Sequence, residues 1–142
     1  MGWCRSACTI DWLVEDERLS QILLDVQHHL FTVQAELAGA GKSIPKKNVT
    51  ELEKRIAKIE AELPKITTFF VPGGSELSSR LDIARAVSRR AERRVVEVHE
   101  SEEKLNEHTI TYMNRLSSLL YALVRLVNHL NATNELPPEY VE

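Results

Sequence analysis

Four stretches of this 142-residue chain set apolar residues three and four positions apart, and that regularity decides what it can fold into. Such spacing follows the turn of an α-helix, whereas a half-buried strand needs strict alternation. Leu23, Val26, Leu30, Val33 and Leu37 lay one stripe along a helix expected from about Leu19 to Ala38. Val49, Leu52, Ile56, Ile59 and Leu63 repeat the step, as do Leu77, Leu81, Ala84, Ser88, Ala91, Val95 and Val98. Tyr112, Leu116, Leu119, Leu123, Leu126 and Leu130 carry it through a last helix, from about Asn106 to Asn131. The opening, Gly2 to Leu13, is helix-compatible but starts without a cap, so residues 1–15 read as part of a first helix.

Punctuation falls between the stripes. Gly39 and Gly41 end one helix, and Pro45 with the lysines after it forms a short loop. Asn48 with Glu51, or Thr50 with Glu53, can form a capping box for the next, which Pro64 stops. Phe69-Phe70-Val71-Pro72-Gly73-Gly74 is a turn that a regular helix excludes, and Ser75 then caps a helix whose first residue, Glu76, suits the dipole. Pro137-Pro138 closes the ordered part and leaves 132–142 as a tail. With no internal repeat and no linker, residues 1–142 read as one all-α domain, an antiparallel helical bundle.

Charge narrows the partners. Eighteen Lys and Arg against 21 Asp and Glu leave a net charge of -3, so no overall field draws the chain to nucleic acid or an anionic membrane. Leu116 to Leu130 is the longest apolar stretch, and Ser117, Ser118, Arg125, Asn128 and His129 interrupt it, so no membrane span is expected. Arg5 and Asp11 break up any secretory apolar core. Cys4 and Cys8, one helical turn apart, are poorly placed to bridge and suit a reducing compartment. The expectation is a soluble cytoplasmic protein.

Arg80 to Arg94 is the most unusual segment, with six arginines against Asp82 and Glu92, a local balance of +4. Glu97 to Glu107 follows at -4. On a wheel of roughly 100° per residue with Ala84 at the origin, Ser88 and Ala91 lie within roughly 40° and mark a core seam. Arg85, Arg89, Glu92 and Arg93 share the flank between roughly 80° and 180°, while Arg90 and Arg94 point elsewhere. Three guanidiniums on one flank repel one another unless carboxylates or an anion answer them. Solvated surface is the bland reading; a polyphosphate held by forked hydrogen bonds is the sharper one. In the last helix Asn114, Ser118, Tyr121 and Arg125 form a polar stripe opposite the leucines, which is either a wet side or a contact surface.

Other signals are weak. Gly39-Ala40-Gly41-Lys42-Ser43 mimics the end of a phosphate-binding loop, but Glu36 stands where its first glycine belongs and a helix precedes it. Met1-Gly2 with Ser6 formally fits a myristoylation pattern, as short patterns do by chance. His28, His29, His99, His108 and His129 lack ligand spacing, so no protein-held metal is expected. No Ser or Cys has a recognisable base partner. An arginine-driven nucleic-acid module lacks interleaved aromatics and faces the adjacent acidic run.

The blocks Phe69-Phe70-Val71-Pro72-Gly73-Gly74-Ser75-Glu76-Leu77, Ala84 to Val96 with its Arg89-Arg90-Ala91-Glu92-Arg93 core, and Asn114-Arg115-Leu116-Ser117 resemble those of PduO-type ATP:cob(I)alamin adenosyltransferases. The resemblance covers about Leu19 to Leu130. It implies a five-helix, ferritin-like bundle assembled as a homotrimer with active sites between subunits. It implies a reaction in which cob(I)alamin attacks the 5′ carbon of ATP, giving adenosylcobalamin and triphosphate. By motif position Arg89, Arg90, Glu92, Arg93 and Asn114 belong to the ATP site, with Mg²⁺ on the phosphates. Arg85 is then a structural arginine paired with an acidic residue. Phe69 closes the lower face of the corrin, and Arg89 and Phe69 are the residues expected to matter most for catalysis. Family members also carry a Gly-Asp-x-Gly-type loop and an Asp-Glu-Leu motif around the first helix, whose Asp pairs with the arginine at position 85. Neither is present here, so a shortened or silent member that binds cobalamin or nucleotide without turnover is the alternative expectation.

Overall fold

The computed structural model describes residues 17–101 and 104–141. Its helices are α1 (Glu17–Leu37), α2 (Lys46–Glu62), α3 (Glu76–Ser101) and α4 (Glu107–Leu130), with no strand among the described residues. The expected partial helix over 1–15, with Cys4, Cys8, Arg5 and Asp11, lies outside the described residues. Residues 1–42 and 43–142 form separate compact units. Among the described residues no helix is long and apolar enough to cross a membrane.

In the first unit, Leu19, Val26 and Val33 are buried at seven-residue steps along α1. The helix stops where glycine permits. Gly39 takes φ 75°, its N–H reaches the Glu36 carbonyl at 2.9 Å, and Ala40 N–H reaches Ala35 O at 2.9 Å. That pair of bonds closes the exposed carbonyls of the last turn in a Schellman motif.

The second unit is organised around α4. Tyr112, Leu119 and Leu123 are fully shielded there, and Met113, Leu120, Val124 and Val127 bury the flanking positions as well. A helix apolar on most sides must be enclosed, and α4 packs against both α2 and α3. Direction follows from which residues meet. Asn128 bonds Gly73 O, Glu92 bonds Asn114, and Leu105 N–H bonds His99 Nδ1, so α3 and α4 run antiparallel. Ile44 N–H meets Thr109 Oγ1, Glu53 faces Arg115, and Arg125 meets Pro64 O, so α2 runs alongside α4 in the same sense.

Two local expectations need correcting. The capping box proposed at Asn48 or Thr50 does not form; α2 starts earlier, at Lys46, with Pro45 as N-cap and no side-chain cap bond. Proline presets φ (here -73°), and the buried Ile44 anchors the chain just before it, so the helix needs no hydroxyl to begin. Thr50 Oγ1 instead donates back to Lys46 O at 3.2 Å. Ala84 is exposed and does not mark the core seam; Ser78, Leu81, Ser88 and Val95 do. The buried face is centred roughly 60° from Ala84, because the direction that faces the interior is set by where α4 packs and not by α3 alone.

Ser75 does cap α3. Its N–H donates to Ser78 Oγ at 2.7 Å and its Oγ accepts from Ser78 N–H at 3.2 Å, a reciprocal box with serine in the place of the usual glutamate. Asn106 caps α4 by accepting from His108 N–H at 2.8 Å.

Candidate functional site

The turn between α2 and α3 is held from three sides. Gly73 N–H donates to Asp82 Oδ2 at 2.8 Å, Asn128 Nδ2 donates to Gly73 O at 3.1 Å, and Val71 N–H donates to Leu136 O at 2.8 Å. Gly74 sits at φ 120°, and a Cβ there would meet Asn128 Oδ1 at 2.7 Å. Only glycine fits that backbone and that gap. So anchored, the turn leaves Phe69 79% exposed, a large apolar ring displayed to solvent.

Beside Phe69 lies a crevice of about 390 Å³ that also takes in Ile66, Phe70, Arg85, Arg89, Ser118 and Tyr121. Its walls are the middle of α4 and the middle of α3, and Glu60 near the end of α2 closes it together with the turn. Arg85 is half-buried there, with its guanidinium 5.4 Å from the centre of the Tyr121 ring. Its Nε lies 3.9 Å from Asp82 Oδ1, too long for a hydrogen bond, and has no hydrogen-bond partner among the described residues. Asp82 thus serves the Gly73 turn first and Arg85 second.

The other arginines of α3 divide by whether carboxylates answer them. Arg80 pairs with Glu76 at 2.6 Å and Arg94 with Glu97 at 2.8 Å, both exposed pairs along one helix that stabilise little. Arg89, Arg90 and Arg93 are exposed and have no ion pair among the described residues. Glu92, the carboxylate between them, is engaged across the helix interface, where its Oε1 accepts from Asn114 Nδ2 at 2.7 Å. The cluster therefore presents guanidinium donors to solvent, a surface suited to phosphate oxygens.

The structure brings Phe69, Arg85 and Arg89 into one crevice and joins Glu92 to Asn114; Arg90 and Arg93 do not line that crevice. Ser118 and Tyr121 of the expected polar stripe do line it. Arg125 does not belong to a wet stripe: it is 5% exposed and lies in a second crevice. Its helical position is buried by the segments packed across the end of α4, which wheel geometry could not include. Sequence reasoning missed Asp82 as the carboxylate nearest Arg85, although three-residue spacing on a helix was a signal for it. It also missed Ile66, which had no motif to mark it.

Residues 1–127 match the sequence profile of the family Cobalamin adenosyltransferase. The chain belongs to that family. It is 42% identical over 116 residues to the corrinoid adenosyltransferase of Bacillus subtilis strain 168, a match covering 79% of this chain and 60% of the relative. It is also 42% identical over 117 residues to the cobalamin adenosyltransferase of Cupriavidus metallidurans, covering 82% and 62%. This chain thus spans less than two-thirds of the length of these two curated relatives. Among solved structures, it resembles a phenylalanine-to-histidine variant of the PduO-type ATP:corrinoid adenosyltransferase from Lactobacillus reuteri complexed with cobalamin and ATP. That likeness has a TM-score of 0.78 at 30% identity, covering 84% of this chain and 68% of the other. The all-α architecture of this cobalamin adenosyltransferase family member is therefore that of its structural neighbours.

Proposed function

We propose that the chain transfers the 5′-deoxyadenosyl group of ATP to the cobalt of cob(I)alamin. The observation that carries this is the set of three exposed guanidiniums, Arg89, Arg90 and Arg93, which have no ion pair among the described residues, near the Glu92–Asn114 bond. In the reaction the lone pair of Co(I) forms the Co–C5′ bond. The C5′–O bond breaks, and its electron pair leaves on triphosphate. The substrate is itself the nucleophile, so the chain needs no nucleophile or general base of its own. Its task is to align two reactants and to stabilise the charge growing on the leaving group.

In this reading Arg89, Arg90 and Arg93 grip phosphate oxygens. Asn114 orients the nucleotide, and Glu92 fixes Asn114 in turn. Arg85 stiffens the crevice wall through Tyr121. Phe69, an exposed ring, covers the lower face of the corrin and keeps axial ligands from cobalt. Among the described residues no cluster of three His, Cys, Asp or Glu could hold a metal. A single carboxylate, Glu92, fits Mg²⁺ that arrives on the triphosphate, because this ion takes most of its ligands from phosphate and water. When bound it would neutralise part of the phosphate charge.

A homotrimer with the active site between protomers is part of the proposal. Ile83 and Val87, one turn apart on α3, are 65% and 48% exposed and offer apolar surface that a neighbouring subunit would cover; Phe69, beside Arg85 and Arg89, offers a separate one. A cytoplasmic location also belongs to it. A second reading, binding of corrinoid and nucleotide without turnover, draws on Arg85, whose nearest carboxylate among the described residues stands off at 3.9 Å.

Mixing the protein with ATP and cob(I)alamin under reducing conditions tests both. Adenosylcobalamin should accumulate with one triphosphate per turnover. Binding of both ligands with no product would transfer support to the second reading.

A further inference from the structure

Beyond the Arg89 crevice, at the far end of α4, lies another of about 280 Å³ lined by Pro64, Phe70, Arg125 and Glu135. Phe70 lines both crevices. Arg125 is a buried cation whose three contacts land on three separate parts of the chain. Its Nη2 donates to Pro64 O at 2.8 Å, at the end of α2. Its guanidinium carbon sits 5.8 Å from the centre of the Phe70 ring. Its Nε lies 3.6 Å from Glu135 Oε2 in the C-terminal segment. That segment is itself tied down, by Thr133 N–H on Asn128 O at 2.8 Å and by Val71 N–H on Leu136 O at 2.8 Å. A bound anion is not what the arginine awaits. Glu135 stands at ion-pair distance, although Arg125 Nε has no hydrogen-bond partner among the described residues, and the carbonyl end of α4, which disfavours an anion, also faces this region.

We propose that Arg125 is a positioning residue for the corrinoid. By clamping Phe70 between the end of α2 and residues 133–136, it fixes where the adjacent Phe69 stands at the mouth of the first crevice. The proposal rests on the function assigned above for its ligand, and on geometry alone for the clamp. Burying an arginine is costly without dense pairing. Here Phe70 lies in the turn that displays Phe69, Pro64 leads into that turn from α2, and the Glu135 segment is bonded to it through Val71. The C-terminal segment thereby becomes part of the corrinoid side of the site, while the ATP-gripping arginines lie elsewhere on α3.

The test uses the full chain with Arg125→Met, Arg125→Lys and Glu135→Gln, with helical content checked by circular dichroism. Hydrogen exchange of peptides covering residues 66–74 reads the clamp directly, because Val71 N–H is held by the tail. In Arg125→Met, exchange at Val71 should quicken by about tenfold as local opening becomes easier. The dissociation constant for cob(II)alamin, titrated with ATP present, should rise by about tenfold while that for ATP shifts by less than about twofold. Arg125→Lys keeps the charge and can still donate to Pro64 O, so part of the corrinoid affinity should return. Unchanged Val71 exchange in a folded Arg125→Met protein, or equal losses for both ligands, overturns the proposal. Should Arg125→Met fail to fold, Glu135→Gln decides: a smaller shift in the same direction supports the clamp, and no shift in either readout overturns it. Failure of the unmodified chain to bind cob(II)alamin would remove the functional reading, and the exchange data would still judge the clamp.

Discussion

Arg125 and Arg89 are the same residue type in opposite situations. Arg125 is 5% exposed, with a backbone carbonyl, an aromatic face and a carboxylate around it. Arg89 is exposed, lines an open crevice and has no ion pair among the described residues. The first is an internal fastening whose partners are all supplied by the chain. The second is open to a partner from outside. That difference separates the half of the unit that maintains the fold from the half that is available for chemistry.

The sharpest way to break this contrast is to cut into the fastening side. Leu123→Ala removes a fully shielded side chain from α4 and should cost about 2–5 kcal/mol of stability, read as a lower denaturant midpoint. Arg89→Ala addresses the other side. Turnover should fall by roughly a hundredfold or more, as when a donor to a developing negative charge is lost, with the unfolding midpoint unchanged. Normal turnover in that variant would remove Arg89 from its assigned role. Gly74→Ala should cost about 1–3 kcal/mol, because φ 120° strains any side-chain-bearing residue and the new methyl group meets Asn128 Oδ1. Its corrinoid affinity should fall more than its ATP affinity, since the same turn carries Phe69. Smallest of all, Arg80→Ala removes a solvated pair with Glu76 and should change stability by less than about 0.5 kcal/mol and turnover not at all. A large effect there would mean that the exposed arginines of α3 cannot be sorted by their carboxylates.

Much of the helical layout was legible in advance. The α2 stripe Val49, Leu52, Ile56 and Ile59 is buried throughout, and α4 begins and ends within one residue of its expected limits. Both depend on local rules, periodicity and capping, that a linear pattern displays. Ala84 and Arg125 were misplaced for a common reason. A helical wheel gives angles between residues on one helix, but the direction that faces the interior depends on where the neighbouring helices and the tail come to rest. The motif blocks were legible as well, and they pointed to the family that the profile match assigns.

By itself, the order of residues determined the helix periods, the breaks at Gly39, Pro64 and Gly73-Gly74, and the arginine surplus between Arg80 and Arg94, because each follows from near neighbours along the chain. Local spacing already pairs Arg80 with Glu76 and Arg94 with Glu97, but only tertiary structure decided where the remaining carboxylates go. Asp82 serves Gly73, Glu92 holds Asn114 across an interhelical gap, and Glu135 returns from the C-terminal segment to Arg125. Ion pairing acts over a few ångströms in space with no regard for separation along the chain, so the charges left free to meet a ligand emerge only once the helices have packed.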